Sequence, residues 1–361
     1  YFNEQWVLFA GQTNSLDLKK GHLILSQQFQ KERPLTINWK RTDEGGFWVE
    51  KAEGSVAGTE IFLQGSKEDA QKSSWKLSGE MNVHLAQAAQ FFPYLGWAAM
   101  AKRWELGKGY HLIGDWVVPK NAWDKIQFEG VLKGNQAEIM GHQIDKIEAH
   151  LRLNEEGLVL LDSRIEDKAG SIEISKAVIE KLENQHWILD IPSITFHQFN
   201  PSELQRIGKR ENRSKNNFVF KKLEAYGVRG YIADMRTWRA TGSFSFANSA
   251  KTGEKQTLFY IPNDILKKVG MDLNALTPVT GTIEFDVEDG KIIFSKFKDV
   301  YSESKLLKFV LAKESVSTMD FNGNLNLRMT LKPYHVMFRF AEFFSVGVSG
   351  DLRKPEYNLF K

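Results

Sequence analysis

The sequence predicts a mainly β protein: a long, curled antiparallel sheet, either a trough or a β-taco, with a few short covering helices. Ile283, Phe285 and Val287 alternate with polar residues, the period of two that gives a strand one apolar and one polar face. Asp289-Gly290 then supplies a tight hairpin turn, because glycine takes positive φ without steric cost. In a later strand one parity holds Phe321, Gly323, Leu325, Leu327, Met329 and Leu331.

Length and composition exclude several classes of protein. With 361 residues the chain can bury a sizeable core, in one large β domain or in two or three smaller ones. A net charge of only +3 argues against a nucleic-acid binder, which would carry a concentrated basic face. Because there is no cysteine, disulfides, thiolate metal sites and cysteine nucleophiles are excluded. The chain begins with Tyr1, so we expect a fragment of a longer protein from which a signal peptide or membrane anchor was removed.

Residues 1–82 are predicted to form strands joined by polar turns, and 84–107 a helical insertion. The insertion is rich in helix-forming residues and is interrupted by Pro93 and Gly96, which predicts two helical pieces with a kink. It would act as a lid over an apolar groove, as a helix dipping into a membrane, or simply as cover for the sheet. Covering the sheet is the favoured interpretation, because exposed sheet ends need protection.

From residue 110 onward the strands resume, with turns at 154–157 and 169–170. Short helices are predicted at 201–207, 262–270 and 334–344, and a last strand within 346–355. Between 208 and 256 only three short strands are indicated, at 218–220, 230–232 and 243–246. We interpret 1–361 as one continuous β-rich region, with a candidate sub-boundary at the basic loop 209–217.

A repeated unit of apolar strand, glycine and turn resembles the AsmA-like superfamily, the group of AsmA, TamB and YhdP type envelope proteins. The likeness covers about two thirds of the chain and lies in its rhythm rather than in any single residue. Its clearest segments are 128–172 and 281–327, together with 346–355, which is similar to the closing Gly-x-x-x-x-Pro element of the family.

The resemblance implies a location and an activity. Such proteins lie in the periplasm of Gram-negative bacteria, anchored to the inner membrane by one N-terminal helix, which is absent from this chain. Phospholipid moves along the apolar inner face of their sheet toward the outer membrane. The implied function is therefore binding or conduction of phospholipid, or another acyl lipid, between the two membranes in outer-membrane biogenesis. No cofactor and no nucleic-acid partner are predicted.

The apolar parity of the strands supplies the candidate groove. Such a face can be buried if the sheet folds over itself, if a second sheet packs on it, or if it holds acyl chains. An acyl chain gains about 0.8 kcal/mol for each CH₂ group that is buried. A filled β-sandwich would show the same alternation, and the resemblance favours the trough. The predicted groove residues are Ile126, Phe128, Ile147, Leu151, Leu153, Ile172, Ile174, Ile283, Phe285, Phe321, Leu325 and Leu327.

Catalytic chemistry is not indicated, since the phosphate-binding loop, the nucleophile elbow and the His-Glu-x-x-His motif are all missing from the sequence. His142, Asp145, Glu148 and His150 could be drawn as a metal site, but solvated polar residues of an outer strand face are the favoured interpretation. We therefore predict no enzyme and no metal. The alternative function is a structural or assembly factor of the envelope, with a filled core and envelope protein partners.

Overall fold

A computed structural model describes sixteen stretches of the chain. They are residues 13–19, 22–27, 35–41, 47–56, 59–69, 74–84, 105–119, 125–139, 142–155, 157–182, 186–200, 219–247, 278–302, 307–333, 344–351 and 356–360. Most of the helical insertion, the sub-boundary at 209–217, and the predicted helices at 201–207, 262–270 and 334–343 lie outside them. Phe344, predicted to end the last of these helices, instead begins a strand.

The predicted fold class is confirmed: the described residues are nearly all β, and their 21 strands belong to one antiparallel sheet. The chain divides into two compact units. Unit 1 comprises Tyr1–Asp167 and Lys176–Trp187, and unit 2 comprises Lys168–Ser175 and Ile188–Lys361, so strand β11 (Gly170–Lys181) is shared.

Unit 1 contains ten further strands: β1 Thr13–Lys19, β2 His22–Gln27, β3 Leu35–Arg41, β4 Phe47–Val56, β5 Thr59–Asp69, β6 Ser74–Val83, β7 Tyr110–Pro119, β8 Gln127–Ile139, β9 His142–Leu153 and β10 Gly157–Asp167. Each pairs with the next in sequence, so β1 to β10 form an antiparallel meander. Since consecutive strands are neighbours, the side chains of one face form rows that cross the strands at right angles.

Unit 2 continues with β12 Trp187–Phe199, β13 Phe220–Tyr231, a 3-10 turn Met235–Thr237, β14 Arg239–Ala247, β15 Pro278–Glu288, β16 Lys291–Ser302, β17 Leu307–Leu311, β18 Ser317–Asp320, β19 Asn324–Pro333, β20 Phe344–Asp351 and β21 Glu356–Phe360. It is also a meander, except that β17 and β18 share one position between β16 and β19. The single strand β13 includes Phe220, Gly230 and Tyr231, which the sequence pattern assigns to two separate strands.

The hairpin predicted at Asp289-Gly290 is confirmed. The two residues have φ values of 50° and 72°, and β15 and β16 pair directly on either side. Positive φ at both central residues is the signature of a type I′ turn, whose twist matches that of the flanking strands. The predicted turn at 154–157 is also present, where Asn154 Oδ1 accepts a hydrogen bond of 3.1 Å from the Gly157 N–H.

Several strands depart from the strict alternation that the sequence pattern predicts. In β16, Phe294, Phe297 and Val300 are all buried although they lie three residues apart. The register of β16 against β15 shifts three times: between Phe294 and Lys296, between Lys298 and Tyr301, where Asp299 has a φ of 49°, and between Tyr301 and Ser302. Each extra residue reverses the inward parity of the residues beyond it and increases the local twist.

Candidate functional site

The apolar face of unit 1 is only partly covered. On β6, Trp75, Leu77 and Met81 are half-buried, whereas Lys76 and Ser78 between them are exposed. The first set packs against a small buried cluster formed by Ala52, Leu63, Trp116, Val118, Ile126 and Phe128. An apolar side chain that retains part of its exposure can still gain contact area from a ligand.

Cross-strand pairing arranges this face in three parallel rows over β6, β7 and β8. One row contains Leu77, Trp116 and Phe128, and another contains Met81, Leu112 and Leu132. Between them lies the glycine strip, which we define as Gly79, Gly114 and Gly130, paired directly with one another and each half-buried. The face thus has two apolar walls and, between them, a floor of three glycines, of which Gly130 is covered by the Phe128 ring.

The structure brings four predicted groove residues of unit 1 together. Ile126 and Phe128 belong to the buried cluster of this face, and Leu151 and Leu153 of β9 are half-buried against it. The ring centroids of Phe128 and Trp116 are 4.7 Å apart. The fifth, Ile147, lies in a different cluster with Leu106, Tyr110 and Ala137.

In unit 2 the apolar side chains are half-buried on the first strands of the meander and fully buried on the later ones. Ile172 and Ile174 of β11 are half-buried, as are Phe196, Phe199 and Phe220 of the next two strands. The rings of these phenylalanines lie in series, with centroids 5.2 Å apart for Phe196–Phe199 and 6.1 Å apart for Phe199–Phe220. The series then reaches the buried rings of β14 and β15, so partial exposure ends there.

Ile283, Phe285, Leu325 and Leu327 were predicted to line the groove, and the structure places all four in the packed core of unit 2. This core has fifteen buried residues on β14 to β20, among which Ile283 is 0% and Leu327 1% exposed. The Phe285 ring also lies over Gly242, with its Cζ only 2.7 Å from the point that a Cβ there would occupy. These side chains contact protein atoms rather than an accessible groove.

Phe321 departs from its predicted position. It was expected on the inward parity of a strand, but β19 begins only at Asn324, and Phe321 lies in the preceding turn with 38% of its surface exposed. Its N–H donates to the carbonyl oxygen of Gly290, 3.2 Å away. The turn forms because Asp320 Oδ1 accepts the backbone N–H groups of Asn322 and Asn324, an interaction that competes with continued strand pairing.

Several residues of these faces are not among the predicted groove residues. The apolar faces also include Met81, Leu112, Phe199 and Phe220. The two phenylalanine rings are neighbours in the structure, but the segment 201–218 separates them in the sequence, so the sequence pattern did not show that they pack together. Alternation in 74–83 and 110–119 was a usable signal for Met81 and Leu112. The direct pairing of Gly79, Gly114 and Gly130 depends on strand register, which no single segment reveals.

The opposite face of unit 1 carries polar cross-strand pairs among a few apolar side chains, such as the exposed Phe62. Examples are His111 Nε2–Glu80 Oε2 at 2.9 Å and Arg152–Glu129 at 2.8 Å. Glu148 and His150 are exposed, and exposed Asp145 accepts a hydrogen bond from the Gln136 amide at 3.0 Å. Within the described stretches, no group of three or more acidic or histidine residues converges on a metal-sized site.

Tyr110, beside the apolar face, is buried, and its hydroxyl donates to the Glu138 carbonyl oxygen at 2.8 Å. Burial, with a smaller effect of the Glu138 charge, raises the pKa of the phenol above its usual range. In the unfolded chain tyrosine ionises near pH 10, so this contribution to stability is complete below about pH 10 and is lost as the pH rises further.

We therefore expect Tyr110→Phe to lower the free energy of unfolding by about 1 kcal/mol at pH 7 through loss of the hydrogen bond. The difference between wild type and variant should narrow above about pH 10, where the wild type alone loses the contribution of this phenol. Urea unfolding of wild type and variant at pH 7 and near pH 11 measures the difference in unfolding free energy and its change with pH. Tyr226→Phe, on the exposed face, is the control. A difference that does not change with pH would contradict the assignment.

The described residues contain no helix that is long enough and apolar enough to span a membrane. Comparison of the chain with protein-family models, curated proteins and solved structures gives no match. The function is therefore inferred from the faces themselves.

Proposed function

We propose that the chain binds phospholipid, or another acyl lipid, on the partly covered apolar faces of its sheet. The observation that carries the proposal is the half-burial of particular apolar side chains: Trp75, Leu77 and Met81 on one parity of β6 in unit 1, and Ile172, Ile174, Phe196, Phe199 and Phe220 on β11 to β13 in unit 2. A protein core would bury those side chains fully, as it does at Ile283 and Leu327. Side chains that are neither in a core nor in full contact with water suit a hydrocarbon ligand.

The energetics require no polar recognition. Each CH₂ group moved from water to such a face gains about 0.8 kcal/mol, so one acyl chain of ordinary length can be held by burial alone. The charged groups of the opposite face form exposed pairs with one another, as Arg152 does with Glu129. Exposed pairs contribute little energy, and they leave the apolar face as the surface with most to gain from a ligand.

For the setting, we propose the periplasm of a Gram-negative envelope, with anchorage at the inner membrane and conduction of phospholipid toward the outer membrane. The proposed setting rests on the repeated unit of apolar strand, glycine and turn in the sequence. Non-enzymatic transfer fits a face built from aliphatic and aromatic side chains, which offer no group for acid–base or nucleophilic chemistry.

A structural or assembly role is the second candidate, and the filled core of unit 2 favours it. Fifteen buried residues on β14 to β20 give this part of the chain a packed interior. Such a unit would act as a rigid body whose exposed surfaces, including Tyr226 at 48% exposure, contact an envelope protein. The two candidates differ in whether lipid accompanies the purified chain.

Lipid extraction from the purified chain tests the proposal. Organic extraction followed by mass spectrometry should recover phospholipid in a defined ratio to protein. Ile174→Asn should lower the affinity for added lipid roughly tenfold, because the burial of one aliphatic side chain contributes about 1.5–3 kcal/mol. Glu173→Gln is the matched control, since the neighbouring side chain is exposed on the other face of β11.

Retention of lipid by Glu173→Gln, together with its loss from Ile174→Asn, supports binding on the apolar face. An extract without lipid, and no uptake of added phospholipid, would favour the assembly role. Circular dichroism of both variants ensures that the comparison is made on folded protein.

A further inference from the structure

The glycine strip of unit 1 has a shape that narrows the kind of ligand it fits. Gly79, Gly114 and Gly130 replace the side-chain row that three neighbouring strands would otherwise place at the centre of the apolar face. The strip is bounded on one side by Leu77 and Trp116, and on the other by Met81, Leu112 and Leu132. The free width is that of a single residue row, and its direction crosses the strands.

Both ends of the strip are closed by buried apolar side chains. Leu63 pairs with Gly79 at the β5 end and is 8% exposed. At the β8 end, the Phe128 ring lies over Gly130, with its Cζ 2.7 Å from the point that a Cβ would occupy. With strands about 4.8 Å apart, these two stops lie roughly 14 Å apart. The floor left uncovered between them is formed by Gly79 and Gly114.

The absence of side chains along this floor has a backbone origin. A Cβ at Gly114 would lie 2.3 Å from the Glu129 carbonyl oxygen, and one at Gly130 would lie 2.2 Å from that of Ile113. The two strands therefore approach so closely that only glycine fits both positions. The strip is thus a fixed feature of the pairing and does not depend on side-chain rotamers.

We propose that the strip holds the terminal part of one unbranched acyl chain, lying across the strands, with the Phe128 ring as its end stop. This inference rests on the proposed lipid function and specifies the ligand segment. The strip and its walls carry no charged side chain, which matches a neutral hydrocarbon. A peptide in the same place would leave its backbone N–H and C=O groups without partners, at a cost that an acyl chain avoids.

The narrow floor also predicts selectivity for chain shape. An unbranched chain contacts both walls along its length, whereas methyl branches would have to displace Leu112 or Met81. Within the strip, each added CH₂ should raise the affinity about fourfold. Beyond the Phe128 ring the increment should vanish.

Photo-crosslinking to the wild-type chain tests this placement. The probe is phosphatidylcholine with a diazirine near the end of one acyl chain, and crosslinked residues are identified by mass spectrometry. We expect crosslinks on Met81, Leu112 or Leu132. Hexadecanoate should compete with the probe, and the methyl-branched phytanate should compete at least tenfold less well.

The Phe128→Leu variant provides a second measurement, because it removes the ring over Gly130 while retaining an apolar core residue. Its crosslinks should move toward Leu151, which pairs with Gly130 on β9. Crosslinks confined to Phe196 or Phe220 of unit 2 would overturn the strip and leave lipid binding standing. Equal competition by the two acids would also overturn it. The absence of any crosslink, with no bound lipid on extraction, would instead overturn the proposed function.

Discussion

Leu327→Asp is expected to prevent unit 2 from folding. Leu327 is 1% exposed, pairs with Val348 across β19 and β20, and lies within the fifteen-residue core. An unpaired carboxylate there would lose its hydration without gaining a partner, which costs more than about 4 kcal/mol. Since a whole domain is stable by only about 5–15 kcal/mol, most of the margin would be lost.

The measurement is urea unfolding followed by circular dichroism and tryptophan fluorescence. Asn326→Asp adds the same charge one residue earlier on the exposed face, and it should change the free energy of unfolding by less than about 0.5 kcal/mol. Leu327→Ala should lie between the two, at about 2–5 kcal/mol. A folded Leu327→Asp protein with a normal unfolding transition would show that the position is open, and that unit 2 offers a groove after all.

This contrast shows what the sequence pattern could and could not predict. Alternation identified the strands at 283–287 and 325–331 and their apolar parity correctly. It could not distinguish a parity buried by protein from one available to a ligand, because both give the same pattern. Ile172 and Ile283 look alike in sequence, yet one is half-buried and the other is fully buried.

Bulges account for a second class of missed features. An extra residue in one strand reverses the parity of the residues that follow it, up to the next irregularity, as at Asp299 of β16 and at Asp162 of β10. In the sequence, such a bulge is visible only as two polar residues between apolar residues that lie three apart, such as Phe297 and Val300. In the structure, one of the two polar residues, Asp299, takes the left-handed conformation. Asp tolerates that conformation better than most residues, which explains its use there.

Gly114→Ala is expected to disrupt the pairing of β7 and β8. The new methyl group would lie 2.3 Å from the Glu129 carbonyl oxygen and 2.7 Å from the Gly130 Cα, both of which are backbone atoms. Backbone cannot move aside as a flexible side chain does, so the two strands must separate locally. We expect a loss of about 3 kcal/mol in the free energy of unfolding, at the upper end of the overpacking range.

Gly227→Ala separates this effect from the general cost of replacing glycine. Gly227 has a φ of 60°, and a Cβ there would meet no atom within 4 Å, so only backbone strain of about 1 kcal/mol is expected. Since Gly114 and Gly130 face each other, adding Gly130→Ala to Gly114→Ala should cost less than it does alone, because the strands are already apart. Additive costs, or equal costs at 114 and 227, would mean that the close approach of β7 and β8 is not what requires glycine. The glycine strip would then be a matter of side-chain size alone, and larger residues could line its floor.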